Sequence, residues 1–277
     1  MRSLDDARIN KNWNKFLRYV DRRITGLQTG IPSIDRYLLG LGNFVSIQGE
    51  TSSGKSTFAL QIVHYNIAQG NPCIVIEKEN GEGRFRSRLI CQKNQISESD
   101  LMVASHEEKR AFAQSVAGYP LHIYTETVSD IPLLEQRIAE CWEKYQKPVL
   151  LLLDSAQALD PVADDDRKSL ETWVYSMDRL KVKYDGNLTI FMVSEMNRVS
   201  YGQEKMGGAK GSNALDFKPE TVLSLAHIED TQKTFLKILK HRDGLKGGKF
   251  ELEKALADPT NQRSFTFTFR EVGDVGI

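Results

Sequence analysis

The chain has 277 residues, 40% of them hydrophobic, enough for one large α/β domain or one domain plus a short arm, an expectation that two full domains fit less well. Its 37 basic and 37 acidic residues cancel, which excludes a coat that holds nucleic acid by global charge and leaves contact through local loops open. Cys73, Cys91 and Cys141 are too few and too widely spaced for a disulfide framework or a C-x-x-C pair. No apolar run is long enough to span a bilayer, and the N-terminus lacks a signal-peptide core, so a cytoplasmic protein without membrane contact is expected.

In chain order, Ser3 and Asp6 stand at capping-box spacing before Leu4, Ile9, Trp13, Phe16, Leu17 and Val20, which recur at three- and four-residue steps. Residues 1–24 therefore read as an amphipathic helical arm outside a domain that covers 25–277. Its apolar face either folds back on its own core or docks on a neighbouring subunit. Residues 25–42 read as turn, short helix and turn. Then Asn43–Gln48, a short β-type run, leads into GETSSGKS from Gly49 to Ser56, and a helical pattern follows to Gln69. Strand, glycine loop and helix are the context in which G-x-x-x-x-G-K-[ST] binds phosphate. Backbone N–H groups of Gly49, Glu50, Thr51, Ser52, Ser53 and Gly54, with Thr57 behind them, would cradle a di- or triphosphate. Lys55 would reach the β- and γ-phosphates and Ser56 would ligate Mg²⁺.

The apolar run Cys73–Ile76 ends in Glu77, Lys78 and Glu79. In a parallel sheet the carboxyl ends of strands face the ligand, so a Glu there can orient or deprotonate the attacking water. Residues 81–118 read as mostly polar helix, Leu121–Tyr124 as a strand and Ile131–Tyr145 as a helix. Val149–Asp154 is an unbroken apolar run closing in Asp, the pattern of a central strand covered on both faces, and makes Asp154 the candidate for the metal shell. A helix near Ser169–Tyr184 and a strand at Leu188–Val193 follow, ending in Ser194, Glu195, Met196, Asn197 and Arg198. The stretch 199–212, with Lys205, Gly207, Gly208 and Lys210, suits a nucleic-acid phosphate backbone and suits a plain surface loop nearly as well. Thr221–Leu225, Thr234–Leu239 and Ser264–Phe269 are β-type runs expected to extend the sheet in antiparallel fashion. Lys240 and Arg242, two apart on an extended segment, point the same way and can reach one polyphosphate.

Taken together these residues resemble the ATPase domain of DnaB-type hexameric replicative helicases, within the RecA-like fold, over roughly residues 23–270. TGLQTGIPSIDRYLLGL is similar to the family's entry segment and GETSSGKST to its phosphate loop. Glu79 falls at the catalytic Glu, with Arg88 at the following Arg. LLLLDSAQALD matches the strand that supplies Asp154 and Gln157, VSEMNR the sensor segment, and LKHRDG the stretch that gives a Lys and an arginine finger to the next subunit. The resemblance implies a RecA-like P-loop core with a mostly parallel sheet, ATP and Mg²⁺ as ligands, single-stranded DNA as substrate track, self-association into a hexameric ring and a loader or other replication partner. It implies Lys240 and Arg242 acting in trans, and the linker role for residues 1–24 where bacterial members carry a helical N-terminal domain that contacts primase. The family has Gln where this chain has Glu195, and a carboxylate facing a γ-phosphate is repelled unless protonated or paired with a cation. The other reading is a RecA- or KaiC-like DNA-binding or regulatory ATPase that unwinds nothing.

Overall fold

In the computed structural model of the chain, residues 26–125, 130–196, 209, 212–228, 233–242, 247–256 and 267–274 are described. Among the described residues nine strands make one sheet in the order β3-β2-β4-β5-β1-β6-β7-β8-β9: β1 Phe44–Gly49, β2 Cys73–Glu77, β3 Leu121–Tyr124, β4 Val149–Asp154, β5 Leu188–Glu195, β6 Thr221–Ile228, β7 Lys233–His241, β8 Lys249–Leu256 and β9 Phe267–Asp274. The first six run parallel and the last three antiparallel. The expectation that Thr221 opens the antiparallel extension is therefore corrected: β6 is a parallel neighbour of β1, and the direction reverses only at β7. Strand β8 escapes the sequence reading because charged residues alternate with apolar ones at its start, Lys249, Glu251 and Glu253 against the buried Phe250 and Leu252.

Helices cover both faces. On one lie α1 Pro32–Leu38, α2 Lys55–Ala68 and α3 Glu82–Asn94, on the other α6 Ile131–Tyr145 and α7 Asp166–Lys183. Alternate strand residues supply the two cores: Val45, Val75, Leu152 and Val193 pack with Phe58 and Ile62, whereas Ile74, Leu151 and Ile190 pack with Ile138, Trp173 and Met177. All of these are at most 1% exposed, so β2 and β4 read as continuous apolar runs because each has two buried faces. Residues 81–118 are mostly helical, as expected, and divide into three helices. Ser97 caps α4 Glu98–Val103 and Ser105 caps α5 His106–Ala117, each through a capping box whose side-chain oxygens accept from backbone N–H groups at the helix start. Helix α6 is capped by Asp130, which accepts from the Leu133 N–H. The last helix, α8, is a single turn, Ala214–Phe217.

Candidate active site

Four parallel strands end on one edge of the sheet, and their last residues meet there. Strand β1 delivers the phosphate loop, β2 delivers Glu77 to Glu79, β4 delivers Asp154 and Ser155, and β5 delivers Glu195; Gly49 pairs with Glu195 and Glu77 with Asp154 across the ladder. The cavity between them holds about 650 Å³, with Thr51, Ser52, Gly54, Lys55, Ser56 and Thr57 on its loop side. Gly54 has φ +101°, and a Cβ there would stand 2.8 Å from the Phe269 ring, so the turn into α2 requires glycine. At Gly49 a Cβ would stand 2.3 Å from the Leu225 carbonyl. Phe269 is buried, meets Phe58 edge-on at 5.9 Å, and its backbone N–H and carbonyl bond the Gln61 side chain at 2.7 and 3.0 Å.

Lys55 curls back over the loop and donates to the Gly49 and Glu50 carbonyls at 2.9 and 2.7 Å. Burial pushes its ammonium below the ordinary Lys range, while Glu195, Asp154, Glu79 and Glu50 pull it back up. The Ser56 hydroxyl donates to Asp154 Oδ1 at 3.2 Å. Burial, then the charges of Glu77 and Glu79, lift the Asp154 carboxyl to about 7, against the opposing pull of Ser56 and Arg88. The raised value follows from burial beside two further carboxylates, a charge pattern that a bound cation would relieve. The adjacent oxygens of Ser56 and Asp154 suit Mg²⁺, a hard ion that takes the rest of its shell from phosphates and water rather than from a protein cage. Among the described residues no group of three or more His, Cys, Asp or Glu could hold a metal ion by itself.

Glu79 lines the cavity and accepts a short hydrogen bond from the Ser155 hydroxyl. Its backbone is fixed by Glu77, 3% exposed, whose carboxylate accepts the N–H groups of Glu79 and Asn80, both at 2.8 Å. Glu77 and Ser155 were not singled out as site residues in the sequence. The signal for Glu77 is its place as the last residue of the continuous apolar strand β2, level with Asp154. Arg84, Arg88 and Glu98 also line the cavity, and Arg88 donates to the Thr57 hydroxyl at 2.9 Å.

Gln157 does not line this cavity. It lies in the 3₁₀ turn Ala156–Ala158, donates to the Ser194 hydroxyl at 3.0 Å and accepts the Glu195 N–H at 3.1 Å, on the wall of a second cavity beneath Trp173. It thereby holds the strand end that carries Glu195. One residue on, Met196 bridges Ala209, while Lys205, Gly207, Gly208 and Lys210 lie outside the described residues, as does the arm 1–24.

Lys240 and Arg242 do not join the cavity of their own chain. Strand β7 runs back to the opposite sheet edge, where His241 pairs with Thr221 and Thr221 with Val45. From the level of Phe44 to Gly49 is five strand residues, about 16 Å, beyond the reach of an Arg side chain. Both side chains point the same way, as their spacing predicts, toward the Phe217 carbonyl, at 2.7 Å from Lys240 and 3.3 Å from Arg242.

A loop that cradles phosphate, oxygen donors for a divalent cation and a carboxylate placed to act on water define the class: a P-loop ATPase on a RecA-like sheet. The sequence profile of the DnaB-like helicase C-terminal domain matches residues 26–253, and the chain belongs to that family, as an ATP-hydrolysing enzyme of replicative-helicase type. The ATPase domain of G40P is similar in structure, with a TM-score of 0.79 at 18% identity, covering 99% of this chain and 100% of that one. A DnaB-like replicative helicase solved with a view to its interactions with primase gives 0.76 at 19% identity, covering 92% of this chain and 65% of that one. A KaiC-like protein from Pyrococcus horikoshii OT3 gives 0.58 at 17% identity, covering 84% and 96%. No curated protein matches the chain in sequence. Among the described residues no helix is long and apolar enough to cross a membrane.

Proposed function

We propose that the chain is a ring-forming motor on single-stranded DNA, a hexamer by family resemblance, that turns over ATP with Mg²⁺ between adjacent subunits. The observation that carries this is the position of Arg242 at the sheet edge opposite its own phosphate loop, exposed and out of reach of its own nucleotide. Such a cation is of use to a phosphate only on another chain. Mg²⁺ would neutralise charge on the β- and γ-phosphates. Around it Lys55 leaves its loop carbonyls for the phosphates, Ser56 and Asp154 hold the metal shell, and Glu79, kept in place by Ser155 and Glu77, orients the attacking water. Arg242 from the neighbour completes the site, a contribution typically worth about 10³ to 10⁵ in rate.

The segment that holds Lys205, Gly207, Gly208 and Lys210 leaves β5 directly after Glu195 and returns to it at the Met196–Ala209 bridge. Gln157 links that strand end to the turn after Asp154. A change at the γ-phosphate is thus transmitted to the base of a loop that grips a DNA backbone by charge, with little sequence preference. A loader or other replication partner belongs to the same reading.

The test is unwinding of a forked duplex at low salt with ATP and Mg²⁺, beside a Lys55→Ala control. ATP turnover stimulated by single-stranded DNA without any strand separation would reject the helicase reading. It would favour a RecA- or KaiC-like switch ATPase, a reading to which Glu195 on the cavity wall lends weight, because its charge opposes a γ-phosphate.

A further inference from the structure

Glu79 lies past the end of β2 and is exposed, so core packing does not set where its carboxylate stands. The turn that follows β4 holds it, and at two points. Ser155 donates to the Glu79 carboxylate. At the other end of the same turn Asp160 meets the ammonium of Lys78, the residue before Glu79, at 3.1 Å. The side chains of that pair are only 13% and 19% exposed, unlike the pair Arg86–Glu82 on α3 at 48% and 46%, and it is the exposed kind of ion pair that contributes little. Both ends are anchored. The Lys78 N–H donates to the Asp154 carbonyl at 3.2 Å, and its ammonium reaches the Thr125 carbonyl beyond β3 at 3.5 Å. The Trp173 indole, in the core that also holds Ile74 and Ile76, donates to the Asp160 carbonyl at 2.9 Å. Just beyond, the Ser169 hydroxyl of α7 accepts the N–H groups of Val162 and Ala163 at 3.2 and 2.9 Å.

We propose that Lys78 and Asp160 are positioning residues for hydrolysis: their ion pair holds the end of β2 against the 155–160 turn in the register at which the Ser155 hydroxyl meets Glu79. The proposal rests on Glu79 orienting the attacking water. A hydroxyl alone fixes one end of a side chain that has several rotatable bonds. The ion pair fixes the backbone from which that side chain starts, and Glu77, accepting the Glu79 N–H at 2.8 Å, fixes it from the other side. Neither Lys78 nor Asp160 lines the nucleotide cavity, so the pair serves the placement of the carboxylate and not the binding of phosphate. Placement is where rate is sensitive, since an error of about 1 Å at a reacting group can cost on the order of 10²-fold. Removing one partner also leaves the other's charge largely shielded from water and without this counter-ion, so either single change loosens the strand end.

The experiment is a double-mutant cycle on the full chain, read by steady-state ATP turnover and by affinity for a fluorescent ATP analogue. Lys78→Met and Asp160→Asn are each expected to lower kcat about tenfold while affinity stays within about twofold. The double change should fall no further than the worse single one by more than about twofold, because the two residues act as one unit. Lys78→Arg, which keeps the cation, should stay within about threefold of the native kcat. The proposal is overturned if either single change leaves kcat within about twofold of native, or if the two losses multiply in the double change. It is equally overturned if affinity falls as far as kcat, the mark of a generally loosened site, or if Lys78→Arg is as impaired as Lys78→Met. Should Lys78→Met not fold cooperatively, Asp160→Asn, which keeps the native shape, and Lys78→Arg carry the test: the first must lower kcat and the second must not. Undiminished hydrolysis in Glu79→Gln would remove the reading of Glu79 on which the proposal rests. Native kcat in the Lys78 and Asp160 changes beside an inactive Glu79→Gln would remove the proposal alone, so the two failures are distinguishable.

Discussion

Asp154→Asn should stabilise the metal-free protein while abolishing turnover, and the size of the gain should depend on pH. In the native chain burial, then Glu77 and Glu79, lift this carboxyl from 3.8 to about 7. A raised acid keeps its proton in the folded state after the unfolded chain has lost it, so stability falls as pH rises from about 4 through about 7. Above that window the full penalty approaches about 4 kcal/mol, three tenfold steps in the proton equilibrium. Repacking around Glu77, whose charge contributes, reduces the observable part to about 2–4 kcal/mol. Asparagine keeps an oxygen for the Ser56 hydroxyl and replaces the charge with a donor. Urea denaturation in the presence of EDTA should therefore show the variant more stable, by about 2 kcal/mol more at pH 8 than at pH 5. Saturating Mg²⁺ and ATP analogue should reverse the order, because only the native carboxylate gains a cation. A gain of equal size at both pH values, or a loss at both, would refute the reasoning.

Other outcomes follow from single contacts. Glu77→Gln weakens acceptance of the Glu79 and Asn80 N–H groups and should cost about tenfold in kcat with KM for ATP held, read by steady-state turnover; an unchanged kcat would leave Glu77 without a part in placing Glu79. Gly54→Ala forces a Cβ against Phe269 at a positive φ and should cost about 1–3 kcal/mol of stability together with nucleotide affinity, measured by urea denaturation and by titration with a fluorescent nucleotide. Arg242→Ala should lose about 10³ or more in turnover without loss of ATP binding, and a chain with Lys55→Ala, which keeps its own Arg242, should restore activity on mixing; no restoration at any ratio counts against a site shared between chains. Leu152→Ala, in the doubly covered strand β4, should cost about 3 kcal/mol by the same denaturation assay.

Much of the frame was legible before any coordinates. Strands β3 and β4 and helix α6 fall on the predicted residues, because each is a clean periodic or continuous apolar run bounded by turn formers. That the loop, Asp154 and Glu79 line one cavity was legible for a different reason: in a parallel sheet the carboxyl ends of the strands gather at one edge. What escaped depended on partners distant in sequence. Nothing in LKHRDG tells that the ammonium of Lys240 ends on carbonyls of residues 216, 217 and 219, since a carbonyl leaves no mark on its residue's identity. Gln157 was expected on the nucleotide and instead braces Ser194 and Glu195. The spacing was informative about the strand end but silent about which side of it the amide faces. The three short helices of 81–118 were written in Ser97 and Ser105, whose three-residue offsets to Asp100 and Glu108 are capping signals overlooked in a polar stretch.

The contact between Phe269 and the phosphate loop has a consequence for how the chain is made. Gln61 and Phe269, 208 positions apart, close one of the longest loops in the protein, and Phe269 roofs the glycine at the start of α2. During synthesis the loop emerges early, yet the ring that covers Gly54 arrives only with the ninth strand. A ribosome-bound chain thus carries the GETSSGKS sequence long before it carries the finished cradle, and ATP binding by truncated or nascent chains becomes a reporter of whether the last strand has docked.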